Sequence, residues 1–397
     1  MTVHIIGAGL AGLNAALQMI DAGHHVALYE AAGQAGGRCR SWFDPILNST
    51  IDNGTHMVVG GNREVWRFLR RIGAADRLVG FNPAFPMMDL TSGRRWTASP
   101  SALLPTIAAA LWRLPLAGSK SVGECLRCSR HYTDFWAPLT VSVMNCPPEQ
   151  ASAPLFRRVL ARTLWRGHKA ARPFLVRNNL SDSFITPAVT TIATAGAEIQ
   201  FHQPLRQIDW KGDRIKRLHL GEQKVHLSRH DQVILALPWH SAARLLPDVD
   251  FPALPARSIV NAHFRLDMPP EALPLVQGLI GGHAHWLFWR APILSVTVSD
   301  AGFLAEQSVE DCTRMLWRDA KKALNIKEDF QSVRVIKEHR ATLLHDTQTL
   351  LHRPTPFLGG NCFLAGDWID TALPCTLESA LLSGHIAADT ALRHFHN

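Results

Sequence analysis

The chain opens on a short apolar run, Val3-His4-Ile5-Ile6, that ends abruptly at glycine. A run of this length without alternation predicts a strand covered on both faces. Apolar positions then recur at helical spacing over residues 10–22, and a second strand is expected over 26–29. A helix follows at 62–72, stopped by Gly73. From Phe81 to Arg172 the pattern changes to helices joined by proline-rich links, with a new helix expected at Pro147-Pro148, where rigid proline suits a first turn. Ile185-Thr186-Pro187 introduces another helix, and Gly196 leads into a strand ending near Phe201. The run Val233-Ile234-Leu235-Ala236-Leu237-Pro238 reads as a second doubly covered strand. Residues 260–264, 286–288 and 294–298 read as strands of a sheet able to wall a cavity. The last strand ends at Gly366-Asp367, and a final helix starts near Thr376.

At 397 residues the chain exceeds one ordinary core, and the alternation of patterns predicts two interleaved domains. Hydrophobic content of 47% and charged content of 19% describe a folded protein that leans apolar. The net charge is +8, and Arg157-Arg158, Arg162, Arg166 and Lys169 crowd one region. No nucleic-acid module accompanies them, so an anionic membrane surface accounts for the excess better than nucleic acid does. The longest uncharged run, Trp96 to Trp112, is interrupted by Pro100 and Pro105 and is too short to span a bilayer. Ile107, Leu111 and Leu114 share one helical face, which suits an in-plane membrane contact, a tunnel wall or a plain core helix. Seven unevenly spaced cysteines make no disulfide framework. Cys125-Leu126-Arg127-Cys128 lacks the second pair that zinc spacing requires, and no metal site is expected. The apolar start belongs to the first strand and not to a signal peptide, which places the chain in the cytoplasm.

The chemistry is carried by Gly7-Ala8-Gly9-Leu10-Ala11-Gly12 between the first strand and helix. Gly7 permits a tight turn, Gly9 lets backbone approach a pyrophosphate, and Gly12 lets helix and strand touch. The helix N-terminus offers free N–H groups and a positive dipole end to phosphate. Glu30, at the end of the second strand, can accept hydrogen bonds from ribose hydroxyls. Strand, turn, helix, strand and terminal acid thus occur in the order a dinucleotide requires.

The following stretch, Glu30 through Gly36-Gly37-Arg38, resembles the extended signature of the flavin-containing amine oxidase and carotenoid desaturase superfamily. The resemblance implies FAD, with Gly37 and Arg38 at its pyrophosphate, where a guanidinium gives forked donors that lysine lacks. It also implies a backbone contact from Leu205 to adenine, within Pro204-Leu205-Arg206-Gln207-Ile208, and a flavin-neighbouring loop at Asp52-Asn53-Gly54-Thr55-His56. The far end of the chain carries Gly366-Asp367, then Glu378, Ala380, Ser383 and Gly384. Asp367 can bind the ribityl or phosphate-linked end of FAD. The helix led by Thr376 and Leu377 can aim its N-terminus at flavin N1 and O2, where charge collects on reduction. The fold class is therefore α/β, a Rossmann-type FAD-binding domain (1–80, 185–245 and 355–397) interleaved with a mixed α+β substrate domain (81–184 and 246–354).

More narrowly, the chain resembles the hydroxysqualene dehydroxylase family of bacterial hopanoid biosynthesis. The pieces that carry this are Asn53-Gly54-Thr55-His56, Asn145-Cys146-Pro147-Pro148-Glu149-Gln150-Ala151-Ser152, Leu235-Ala236-Leu237-Pro238, and Gly366-Asp367-Trp368 with Leu373-Pro374-Cys375-Thr376-Leu377-Glu378. Cys375 and Ser379 stand where the family would have alanine and glycine. The resemblance implies reductive conversion of hydroxysqualene to squalene, with a C30 isoprenoid substrate, a peripheral place on an anionic membrane, and contact with upstream squalene-pathway enzymes. Departure of water needs an acid, for which Asp52, His56 and His285 are the candidates. An oxidative isoprenoid desaturase and a non-catalytic isoprenoid carrier are the alternatives. An amine oxidase is less attractive, since an aromatic cage would have to be built with only two tyrosines, Tyr29 and Tyr132.

Overall fold

The computed structural model describes residues 2–99, 103–247, 249 and 254–395. Its first layer is a six-stranded sheet ordered Glu198–Gln200, His25–Tyr29, Thr2–Ile6, Gln232–Leu235, Cys362–Leu364, Phe357–Gly359. All neighbours are parallel except the last pair. The N-terminal strand lies at the centre, as its unbroken apolar run demands: Val3, Ile5 and Ile6 are buried, and the polar His4 meets Tyr29 Oη at 3.2 Å. Helix Leu10–Asp21 covers one face and packs along the last helix, Leu377–Phe395. The two helices nearly touch, since a Cβ on Gly384 would lie 2.1 Å from the Ala11 carbonyl oxygen.

A second sheet of seven strands runs Ser332–Leu343, Ala256–Arg265, Ile293–Val298, Trp286–Arg290, Val276–Ile280, Phe85–Asp89, Arg95–Ala98. Its alternation sorts side chains into two sets. Val260, Ala262, Phe264, Leu287, Trp289, Leu294 and Val296 form one core with helix Val309–Leu324. Asn261 and Thr297, His263 and Ser295, Trp286 and Phe288 stand on the opposite face, in register across the strands. That face looks toward the Asp52–His56 loop, where Asn261 Nδ2 donates to the Asn53 carbonyl at 3.4 Å.

Helices Leu104–Arg113, Ala137–Met144 and Ala153–Arg162 gather around Trp136 and Phe156 in a third layer. One open reading is resolved here in favour of a core helix, and one expectation is corrected. Ile107, Leu111 and Leu114 are all buried in this cluster, so their face is internal packing and not a membrane contact. Pro147-Pro148 forms a turn, with the Pro147 carbonyl accepting from the Gln150 and Ala151 amides. The helix begins at Ala153 instead, because Ser152 can cap it through the Leu155 amide and Pro154 occupies its first turn. Pro173–Val176, inside the stretch assigned to the substrate domain, pairs with Val58–Val59 and Leu78–Gly80. Pro100, one of the two prolines interrupting the long uncharged run, lies outside the described residues. No helix among the described residues is long and apolar enough to cross a membrane.

Candidate functional site

Two glycine turns lie back to back at the head of the N-terminal helix. Gly7 adopts φ +104°, and its amide donates to the Tyr29 carbonyl at 2.7 Å, which swings the chain from strand to helix. The Gly36 amide donates to the Ala8 carbonyl at 2.8 Å, bringing Gly37 beside Gly9. A Cβ at Gly12 would sit 1.9 Å from the Gly7 carbonyl oxygen, whereas one at Gly9 would meet nothing within 4 Å. Gly9 therefore borders open space in front of a helix whose first amides have no side-chain cap. That cradle fits a phosphate.

Glu30, at the end of the second strand, adjoins this cradle. Its carboxylate accepts from the Ala8 and Ala32 amides, each at 2.8 Å, and its carbonyl accepts from Gln203 at 2.8 Å. Strand Leu205–Lys211 begins two residues further on, so Glu30 and Leu205 are neighbours despite their separation in sequence.

The two ends of the chain meet at one ion pair. Arg38 Nη2 donates to Asp367 Oδ1 at 2.6 Å across 329 positions, and Nη1 donates to the Ala341 carbonyl. The acid is enclosed, with 7% of its side chain exposed, while 37% of the arginine side chain is open. The open cation can take a second anion without leaving Asp367.

The segment from Asp367 to Thr376 is held from below by a residue the sequence reading missed. Arg353 is 6% exposed and donates Nε to the Trp368 carbonyl at 3.1 Å, Nη1 to Leu373 at 2.6 Å, and Nη2 to Asp367. Ser383 Oγ accepts from the Gly366 amide at 2.8 Å, and Ser379 Oγ meets Thr371 Oγ1 at 2.6 Å. Ser379 thus fits where a glycine was expected. Cys375 fits as well: it is buried, its thiol reaches the Asp367 carbonyl at 3.4 Å, and burial pushes the thiol up to about 12. A thiol kept protonated in this way is a poor candidate for covalent flavin attachment. Thr376 caps the last helix, accepting from the Ser379 amide at 3.3 Å, with Leu377 as its first residue.

His345 is a second residue that no motif announced. It is fully buried, donates Nδ1–H to the Met144 carbonyl at 2.6 Å, and accepts the Cys375 amide on Nε2 at 2.8 Å. It fastens the end of helix Ala137–Met144 to the leader of the last helix. Its pKa is pushed down to about 4 by burial, so both bonds are made by a neutral ring.

The three candidates for proton donor separate clearly. Asp52 accepts from Ser41 Oγ at 2.6 Å, the Leu180 amide at 2.8 Å and Arg290 Nη2 at 2.9 Å. Its carboxylate is committed as a tether between the loop and the seven-stranded sheet. His285 accepts the Ser299 amide on Nδ1 at 3.3 Å and has its pKa lowered to about 4 by burial and by His283. It stands as a neutral ring at the start of a strand. His56 alone of the three has no such commitment, and it lies within electrostatic reach of both Asp52 and Arg38. Burial, reinforced by Arg38 and opposed by Asp52, lowers its pKa below the ordinary histidine value.

Beside His56 the surroundings turn apolar. Met57, Phe81, Phe85 and Trp286 pack with Leu175 and Phe288, and the Phe85 and Trp286 rings stand edge-to-face at 5.9 Å. Neither tyrosine joins this group, since Tyr29 ends a strand of the first sheet and packs in a different core, and Tyr132 bonds Glu149 at 2.8 Å. Cys125 and Cys128 are free, one half-buried and one exposed.

The flavin containing amine oxidoreductase family matches residues 10–136 and 177–392. A hydroxysqualene dehydroxylase of Sinorhizobium fredii is 38% identical over 98% of this chain and 98% of its own. One of Zymomonas mobilis is 38% identical over 98% of this chain and 99% of its own. Among solved structures, wild-type putrescine oxidase bound to putrescine superposes with a TM-score of 0.73 over 99% of each chain, at 16% identity.

Proposed function

This chain belongs to the flavin containing amine oxidoreductase family and, within it, groups with the hydroxysqualene dehydroxylases; from that premise we propose that it reduces hydroxysqualene to squalene. The observation that carries the reading is the likeness to named dehydroxylases along nearly the whole of both chains. FAD is the cofactor. When bound and reduced, it supplies a hydride. The allylic C–O bond breaks, a proton and the hydroxyl leave as water, and the hydride completes the carbon that bore the oxygen.

The chain's own residues bind, orient and keep dry. Gly9 and the uncapped helix behind it take the pyrophosphate, with Gly7, Gly12 and Gly37 shaping the cradle and Arg38 beside it. Glu30 and Leu205 take the adenosine end, and Gly366, Asp367, Thr376 and Leu377 take the ribityl and ring end. The aromatic group around Phe85 and Trp286 excludes water from an isoprenoid chain. We assign the proton to His56, whose nitrogens are uncommitted and which adjoins that apolar group through Met57. The substrate partitions into lipid, so the reaction belongs at the cytoplasmic surface of an anionic membrane, within the hopanoid pathway and beside the enzymes that make hydroxysqualene.

The test is anaerobic. Enzyme carrying chemically reduced flavin is mixed with hydroxysqualene, and products are read by mass spectrometry. Squalene should appear as the flavin reoxidises. Deuterium carried on the reduced flavin should enter the former carbinol carbon, provided its exchange with solvent is slower than turnover. Desaturation of squalene or a carotenoid precursor by oxidised enzyme, with hydroxysqualene untouched by reduced enzyme, would replace this reading with a desaturase.

A further inference from the structure

The helix Leu104–Arg113 is amphipathic in an unusual sense: both of its faces are apolar. Ile107, Ala110 and Leu111 are buried in the helical layer. On the other side Leu104 is 46% exposed, Trp112 is 91% exposed, and Leu116, just beyond the helix, is 75% exposed. Pro105, Ala108 and Ala109 lie exposed between them, so no charged side chain interrupts this outer stripe. A tryptophan held almost wholly in water is costly for a face that stays wet.

The charge around the stripe is equally one-sided. Residues 101–121 and 153–172 contain Arg113, Lys120, Arg157, Arg158, Arg162, Arg166, Lys169 and Arg172, and not one Asp or Glu. The other 33 basic residues of the chain are matched by its 33 acidic ones, so these two segments hold the entire net charge of +8. They are also neighbours in space. The helix packs on Ala153–Arg162 and on the turn Leu164–Arg166, whose Trp165 is 51% exposed. Arg113, Arg158, Arg162 and Arg166 are all exposed there.

We propose that the outer face of Leu104–Arg113, with Trp112 and Leu116 as its apolar anchors and the neighbouring arginines as its charged rim, is the surface by which this protein sits on an anionic lipid bilayer. The surface commits to lipid because indole, leucine and a rim of exposed guanidinium groups match a headgroup layer over hydrocarbon. The location also serves the reaction. The same helical layer reaches the seven-stranded sheet, where Ser142 Oγ accepts Trp286 Nε1–H at 2.6 Å. One layer of helices thus stands between the bilayer and the aromatic wall. The use of this surface for substrate uptake rests on the isoprenoid reading above; the docking itself does not.

Flotation of the FAD-loaded full chain with vesicles of phosphatidylcholine plus phosphatidylglycerol tests this, against phosphatidylcholine alone. Wild type should float with the anionic vesicles and be released by salt. Trp112→Ser with Leu116→Ser should lower the partition coefficient on the order of tenfold or more. Arg158→Glu with Arg162→Glu should lower it at least as far, and only on anionic lipid. Comparable changes at a distant exposed site, Trp210→Ser with Lys211→Glu, should leave it unchanged. All variants should keep the flavin spectrum and turn over detergent-dispersed hydroxysqualene at the wild-type rate. Vesicle binding unaffected by either double variant overturns the surface. So does a wild type that ignores vesicles but forms a dimer, seen by light scattering, that Trp112→Ser dissolves. Wild type that floats as described yet converts no hydroxysqualene leaves the surface standing and removes the substrate reading instead.

Discussion

Gly9 and Gly12 are both glycines of one motif, yet their neighbourhoods call for glycine for opposite reasons. A side chain at Gly12 runs into the Gly7 carbonyl, and one at Gly9 enters the open space in front of the first helix, where we propose the phosphate sits. Gly9→Val should therefore yield colourless protein whose far-ultraviolet dichroism matches that of wild-type apoprotein. Gly12→Ala should cost about 3 kcal/mol of folding stability, read from the urea midpoint. Valine at Gly9 with flavin retained would take the fingerprint out of the account. His56 makes a prediction in pH. Its pKa lies below 6.5, because burial disfavours the imidazolium and Arg38 adds to that effect. If the imidazolium supplies the proton, turnover should fall as pH rises through that lowered value, and His56→Gln should abolish that limb of the profile. A wild-type profile with no limb that falls below pH 6.5 and is lost in His56→Gln would argue for another donor. Family position marked His56 and Asp52, and an aromatic setting marked His285; only their hydrogen bonds told them apart.

At the scale of elements, the C-terminal signature turns out to be a set of fastenings. Glu378 accepts from the Glu64 amide at 3.0 Å and the Val65 amide at 3.0 Å, and so caps helix Arg63–Arg71 from outside it. Glu378→Ala should cost about 1–2 kcal/mol, seen as a lower melting temperature, with the flavin spectrum unchanged. Arg353 does a different task, since its three nitrogens shape the segment that carries Asp367 and leads to Thr376. Lysine there could satisfy only part of that fork. Arg353→Lys should weaken FAD binding and destabilise the fold by about 3 kcal/mol, because carbonyls are left buried without donors. Undiminished flavin affinity in that variant would show that the segment keeps its shape unaided. The motif letters were readable in order along the chain, but nothing in their spacing says that Glu378 serves a helix 314 positions earlier.

The whole molecule carries several histidines held neutral, and this sets its response to acid. His263 and His345 are almost wholly enclosed, and burial lowers each to about 4 from an ordinary 6.5. Between those values the unfolded chain binds protons that the native chain refuses. Their contribution to stability is thus complete above 6.5 and is lost as pH falls toward 4. Each can account for roughly 3 kcal/mol at most. Urea midpoints taken across that interval should drop steeply on the acid side, and His345→Gln should flatten the slope; midpoints indifferent to pH would contradict the burial argument. The sequence by itself determined the glycine turn and the strands that flank it, and the family resemblance of its motifs supplied the cofactor class; it read 81–172 as helical and missed that Phe85–Asp89 and Arg95–Ala98 are strands of the second sheet. The turn and the strands follow from backbone conformation and side-chain alternation, which depend on residues a few positions apart. Only the tertiary structure decided that Arg38 meets Asp367, that Ile107, Leu111 and Leu114 face inward while Trp112 faces out, that Asp52 is a tether, and that Arg353 and His345 hold the segment from Asp367 to Thr376. Partnership, burial and protonation are set by what the returning chain brings alongside a residue, and distant segments that complete a site leave no periodicity for the sequence to show.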